Sequence, residues 1–256
     1  MKKILTGFCM SWGYFCFIPG PKKWDEEARP YMLAWLPTVG AIMGIIWAAL
    51  IALLNLISFP ATAFGAVVTW LPFVLSGFIH VDGYMDVNDA VMSRGTLEKK
   101  RAILKDSRCG TFAIVSFIFL VLVEFGVLSS AAFYFERPEA LVRAVMIMTV
   151  PRAVSGLMMM TLKPMDTSQY VEMKRDHKAE AFLIAQLIIW LALAMIIGRE
   201  SLPEVLLTAV MGALGTLISI FFARHELQGM NGDIAGYGIL WGELMGILSL
   251  ALFIGA

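Results

Sequence analysis

Charge is what this chain has least of. Charged residues make up 16% of its 256 positions and hydrophobic residues 59%, with a mean hydropathy of +0.77, whereas soluble domains carry about 25% charged residues. That scarcity excludes an ordinary soluble protein and predicts a membrane protein. Lys plus Arg and Asp plus Glu balance at 20 each, so no net positive field argues for nucleic acid as a partner. Cysteine is sparse too: Cys9, Cys16 and Cys109 have neither zinc spacing nor a disulfide framework and read as small apolar fillers. No internal repeat, low-complexity tract or room for a separate soluble domain is visible, so residues 1–256 read as a single membrane-embedded domain. The first apolar stretch, Ile4 to Ile18, runs into Pro19-Gly20-Pro21 instead of a small-residue cleavage site, which argues against a cleaved signal.

Long apolar runs are what fill the chain. Seven of them, at about 31–57, 61–80, 110–134, 140–162, 180–198, 202–223 and 235–255, are each long enough to cross the hydrocarbon core as helices. The N-terminal stretch is too short for a confident crossing. The expected fold is therefore all-α: a polytopic integral membrane helix bundle of about seven transmembrane helices plus an N-terminal interfacial or re-entrant helix. Sixteen of the twenty Lys and Arg fall on one side of this topology, against Arg137, Arg143 and Arg199 on the other and Arg152 inside a segment. The positive-inside rule makes the rich side cytoplasmic. The longest polar stretches, 82–109, 163–179 and 223–234, share that side, so chemistry is expected at the cytoplasmic face of a cell (inner) membrane.

The most informative polar run is His80-Val-Asp-Gly-Tyr-Met-Asp-Val-Asn-Asp89. On a helix Asp82, Asp86 and Asp89 stand at i, i+4 and i+7, three carboxylates on one face. Like charges so placed oppose helix formation by a few tenths of a kcal/mol per pair, which points to a bound cation; hard oxygen ligands favour Mg²⁺ or Mn²⁺ over zinc. The plainer alternative is a solvated acidic helix start with Asp82 as its cap. His80 could act as a base or ligand, or simply as a histidine bonded to backbone at the boundary. Asn231-Gly-Asp233, ahead of Glu243, could cap a helix or lend a further metal ligand, Asp233. Lys105, Asp106 and Arg108, before Gly110, could hold phosphate or be an ordinary basic flank. Arg152 lies inside an apolar segment, where an arginine without a partner costs at least ~2.5 kcal/mol; its anion is either a protein carboxylate or a substrate phosphate.

These residues resemble the cobalamin synthase family, the adenosylcobinamide-GDP ribazoletransferases. Members carry His-Leu-Asp-Gly-Leu-Ala-Asp-x-x-Asp-Gly where this chain has His80 to Asp89. The run Lys105-Asp-Ser-Arg-Cys-Gly110, an arginine like Arg152, Asn231-Gly-Asp-Ile-Ala-Gly236 followed by Glu243, and Leu36-Pro-Thr-Val-Gly40 are similar to family stretches in the same order. Ala90 stands where the family has glycine, Asn231 where it has threonine, and Gln228-Gly229 where a glycine pair is common. The resemblance implies a multi-pass transferase that joins adenosylcobinamide-GDP to α-ribazole, or α-ribazole 5′-phosphate, and releases GMP. It implies that Asp82, Asp86 and Asp89, with Asp233, hold Mg²⁺ on the pyrophosphate, that Lys105, Arg108 or Arg152 offsets charge on the leaving group, and that an aspartate or His80 takes the hydroxyl proton. The lipid bilayer is the other expected partner, and a homo-oligomer stays open. Two rival readings are a CDP-alcohol-type phosphotransferase, disfavoured because no Ala-Arg follows the first Asp-Gly, and a divalent-cation transporter, for which acids should lie near the midplane.

Overall fold

The computed structural model describes residues 2–253, apart from the side chains at 136 and 138. Among these, eleven α-helices follow one another: α1 Lys2–Phe15, α2 Arg29–Ala34, α3 Leu36–Leu56, α4 Ala61–Leu75, α5 Ile79–Met92, α6 Leu97–Ile103, α7 Thr111–Ser130, α8 Pro138–Thr161, α9 His177–Ile197, α10 Leu202–Leu227 and α11 Gly232–Ala251. No strand forms among the described residues; Pro164 and Met230 make an isolated bridge. Six helices (α3, α7, α8, α9, α10, α11) are long and apolar enough to cross a membrane, and α4 with α5 makes a seventh, bent candidate. The protein is thus an all-α, multi-pass membrane bundle. The segment expected at 235–255 runs beyond the described residues; within them it lies in α11 up to Ala251 and then in a turn at 252–253.

The second expected crossing, 61–80, needs correction. Helix α4 stops at Leu75, and α5 leaves it at 91°. The cause is local. Gly77 takes a left-handed φ of +60°, its N–H bonds Val74 O (2.9 Å) and that of Phe78 bonds Phe73 O (2.9 Å), which is the paired closure that ends a helix on a glycine. Phe78 is left-handed as well, at φ 60°, a conformation that costs a bulky residue on the order of 1–2 kcal/mol. The Phe17 N–H bonds Leu75 O (2.8 Å), fastening the N-terminal segment to the elbow. Helix α1, 14 residues long, is not among the membrane-crossing candidates, in keeping with an interfacial element.

Two large apolar clusters hold the bundle together, and a third, smaller one, with Met146, Ala194 and Val205, joins α8, α9 and α10. One, with Met10, Leu33, Tyr84, Leu183 and Ile234, underlies the end at which α5, α6 and the loops before α9 and α11 meet. The other, with Trp47, Phe64, Leu128, Phe135 and Ile247, fills the opposite half. Trp47 is fully buried and donates its indole N–H to Val68 O at 2.9 Å, which removes the penalty of an unpaired donor. Arg143, counted on the side opposite the basic one, is buried in α8, where Tyr134, Glu204, Thr208 and Ser249 surround its guanidinium. Cys109 is exposed and so is not a core filler, while Cys16 is buried.

Candidate active site

Helices α5 and α11 cross with almost no space between their backbones. A Cβ on Gly83 would stand 2.8 Å from Asp233 Cα, and one on Gly236 would stand 3.1 Å from His80 Cα. Only glycine permits that approach. The contact puts Asp82 of α5 beside Asp233 in the first turn of α11, and Asp86 falls within the field of Asp82, Asp89 and Asp233. Asn231 caps α11: its Oδ1 accepts from the Ile234 N–H (3.0 Å) and its Nδ2 donates to Asp233 Oδ2 (2.6 Å), so capping and orientation of Asp233 come from one side chain. An acid in a helix's first turn also meets the positive end of the helix dipole.

The three aspartates of α5 have different jobs in the fold. Asp82 is exposed and Asp86 half-buried. Asp89 is buried, and its two oxygens accept from the N–H groups of Gly110 (2.6 Å) and Ala113 (2.9 Å). It caps α7, whose own N-cap position is a glycine without a side chain to do so. Among the described residues no three His, Cys, Asp or Glu side chains converge closely enough to hold a metal ion. The donors nevertheless suit a hard cation: Asp82, Asp86 and Asp233 carry carboxylate oxygens that no helix terminus consumes, and Mg²⁺ commonly takes only one or two carboxylates and completes its shell with water and substrate phosphate.

Beneath Asp82 lies a cavity of about 290 Å³. Asp82, Ser155, Asn231 and Asp233 are among its polar lining, and Phe15, Leu33, Leu36, Met159 and Ile239 among its apolar lining. A wider cleft between α1 and the α4–α5 elbow shares Tyr14, Ile79 and Asp82 with it. His80 is 3% exposed, lines the cavity, stacks on Phe15 at 6.1 Å and 16°, and has no hydrogen-bond partner at either ring nitrogen.

Sequence reasoning named no residue of the strap at 167–170, whose Thr167, Ser168, Gln169 and Tyr170 also line the cavity. The strap is fastened from two directions. Met165 N–H bonds Met230 O (2.9 Å) and Met230 N–H bonds Lys163 O (3.0 Å), while Arg29 donates to Gln169 O with its guanidinium between the rings of Trp24 (5.5 Å) and Tyr170 (5.8 Å). Burial raises the Tyr170 hydroxyl above its ordinary range, keeping it neutral. The signal was present as a polar stretch returning to the aspartate side; nothing in its composition marked single residues.

The basic candidates separate. Lys105 and Arg108 are exposed and outside the cavity lining, on the loop that Gly110 joins to Asp89. The Arg108 guanidinium holds Asp106 at 2.6 Å and keeps its carboxyl far down, at about 2, so the pair is ionised at any physiological pH. Arg152 is 1% exposed and outside the cavity lining; of the two anions open to it, the structure supplies the protein carboxylate, Glu243. Glu124, buried on α7, lines a small internal pocket together with Glu243.

A multi-pass helical bundle with a carboxylate-rimmed cavity at one end is the build of a membrane-embedded protein that handles a polar ligand at its helix termini. The chain belongs to the cobalamin-5-phosphate synthase family, whose profile matches residues 7–251. It is similar to a protein of Clostridium botulinum (strain Alaska E43 / Type E3) named adenosylcobinamide-GDP ribazoletransferase, 31% identical over 255 residues, which cover 99% of this chain and 100% of that one. A protein of the same name from Clostridium perfringens (strain 13 / Type A) is 30% identical over 254 residues, 98% and 100% of the two chains. Another, from Geobacillus sp. (strain WCH70), is 28% identical over 255 residues, 92% and 91% of the two chains. No solved structure matches the chain.

Proposed function

We propose that this protein joins adenosylcobinamide-GDP to α-ribazole or its 5′-phosphate, releasing GMP, with Mg²⁺ bound at a site that faces the cytoplasm. The observation that carries the reading is the glycine-mediated crossing of α5 and α11, which sets Asp82 against Asp233 over a cavity in a chain of this family. Asp82, Asp86 and Asp233 would hold Mg²⁺, and when bound the ion supplies charge neutralisation to the pyrophosphate oxygens. Asp89 fixes the angle of α5 against α7 through the two N–H groups it accepts from. Asn231 keeps Asp233 aimed at Asp82. Lys105, exposed and unencumbered by the Asp106–Arg108 pair, offsets charge on the departing GMP. His80, with both ring nitrogens free, or an aspartate of the rim, accepts the proton of the attacking hydroxyl. Arg152 and Glu243 brace α8 against α11 and touch neither substrate.

The test is direct. Detergent-purified protein is incubated with adenosylcobinamide-GDP, α-ribazole and Mg²⁺, and GMP is measured; Asp82→Asn should abolish its release while leaving membrane insertion intact. Absence of GMP from the wild type, or retention of more than about a tenth of the rate in Asp82→Asn at saturating Mg²⁺, would refute the assignment.

A further inference from the structure

Between α3, α4, α7, α8 and α11, apart from the cavity under Asp82, lies a small internal space of about 10 Å³. That is room for one water molecule, whose centre needs about 10–15 Å³. Three polar side chains line it, Thr69, Glu124 and Glu243, and seven apolar residues make the rest of its wall. Each of the three is no more than 4% exposed.

The charges around this space do not balance. Arg152 takes one oxygen of Glu243, Oε1, and leaves Oε2 for another partner. Among the described residues no lysine, arginine or histidine stands within ion-pair distance of Glu124; the charged group that bears on it is Glu243. With both acids ionised, one arginine would face two carboxylates deep inside the bundle, and an uncompensated charge is what such surroundings tolerate least. Something positive belongs beside Glu124.

The second observation is independent of charge. Thr149, Thr161, Thr208 and Thr216 each donate to the carbonyl four residues earlier in their own helix, a common outlet for a threonine hydroxyl in a helix. Thr69 in α4 does not: its Oγ1 is buried without a partner, on the wall of this space. The backbone beside it is provided for, because Pro72 has no N–H to offer Val68 O and the Trp47 indole takes that carbonyl instead. The hydroxyl is left over, next to two acids, and buried hydroxyls in that position are normally satisfied by ordered water.

We infer that this space is a proton site: one water molecule bridges Thr69, Glu124 and Glu243, and a single proton held on Glu124 supplies the missing charge. The water accepts from the Thr69 hydroxyl and from the Glu124 O–H and donates to Oε2 of Glu243, the three bonds usual for a buried water. A metal ion fits less well. Hard divalent cations surround themselves with about six or more oxygens, which three side chains in an apolar wall do not supply, and Arg152 already sets a positive charge against Glu243. The bridge joins α4, α7 and α11 inside the bundle, and Arg152 carries the link on to α8. None of this rests on the transferase reading, and its test uses no substrate.

The experiment reads the proton itself. Infrared spectra of the full-length protein in detergent at neutral pH should show the carbonyl stretch of a protonated carboxyl that is lost in Glu124→Gln and displaced in Thr69→Val, which removes one anchor of the water. Glu124→Gln, neutral and of the same shape, should melt within about 2 °C of the wild type. Thr69→Val removes a hydroxyl that no protein atom bonds, yet should lower the melting midpoint by about 2–8 °C, the shift that loss of one buried hydrogen bond brings in a chain of this size. The midpoints should be the same in sodium, potassium and choline salts. A midpoint unchanged or raised in Thr69→Val means that the hydroxyl meets nothing and overturns the bridging water. A carboxyl band untouched by Glu124→Gln, or a Glu124→Gln chain that does not fold, overturns the proton. Stabilisation by one salt cation over the others puts a metal ion in its place and overturns the site as well.

Discussion

Gly83→Ala adds one methyl group at the tightest point between α5 and α11. Its carbon would sit 2.8 Å from both Cα and O of Asp233, and these are backbone atoms that no rotamer change can move. Two effects on stability oppose each other. Alanine gains about 1 kcal/mol over glycine inside a helix, and overpacking a close contact costs about 1–3 kcal/mol. Their difference is at most about 2 kcal/mol, a shift of only several degrees in Tm for a chain of this size. The effect on turnover is of another order. Carbon atoms in contact stand about 3.5–4.0 Å apart, so the helices must part by about 1 Å, and Asp82 parts from Asp233 with them. Misplacement by about 1 Å costs on the order of 100-fold in rate. Thermal unfolding and GMP release should therefore diverge, the first nearly unchanged and the second down about 100-fold. Gly126→Ala is the control, because nothing lies within 4 Å of the carbon it adds. A Gly83→Ala enzyme turning over within about twofold of wild type would show that the α5–α11 spacing does not set the site.

Arg152→Met should destabilise by about 3–5 kcal/mol, since it strands Glu243 as a buried charge, and Arg152→Met with Glu243→Met should recover most of that loss; melting curves that rank the double variant below the single one contradict a simple buried pair. Cysteines placed at 137 or 199 in a background without the three native ones should react with an impermeant reagent outside intact cells, while those at 99 or 174 should not. All four positions are exposed, so external labelling at 99 would invert the proposed orientation and not merely report burial. With Fe²⁺ in place of Mg²⁺, peroxide and ascorbate should cut the backbone near both 82–89 and 231–235, with excess Mg²⁺ protecting each; cuts limited to the first stretch would reduce Asp233 to a helix-cap acid.

Hydropathy located the spans because every long helix has to satisfy its backbone within itself in lipid, and that rule leaves a mark on composition. The elbow left no such mark. Ser76-Gly77-Phe78 is apolar enough to pass for the end of a crossing, and only the left-handed backbone of Gly77 and Phe78 shows where α4 ends. Spacing put Asp82, Asp86 and Asp89 on one helical face, yet could not show that Asp89 would be spent on the N–H groups of a different helix. Nor could it choose the anion for Arg152, because Glu243 lies 91 residues away in the chain. The Tyr14–Phe15 wall and the 167–170 strap escaped notice for the same reason: their chemistry depends on what the loops meet, not on what they are made of.

The elbow also makes the bundle uneven in height. Helix α4 rises only about 22 Å over its 15 residues, while α10 runs about 39 Å over 26, against a hydrocarbon layer of about 30 Å. Lipids beside α4 must compress or let the headgroup layer sag toward the carboxylates, while those beside α10 meet a surplus that tilt absorbs, each at fractions of a kcal/mol per Å. Acyl-chain length should therefore load the two helices in opposite senses, long chains straining the lipid beside α4 and short chains that beside α10.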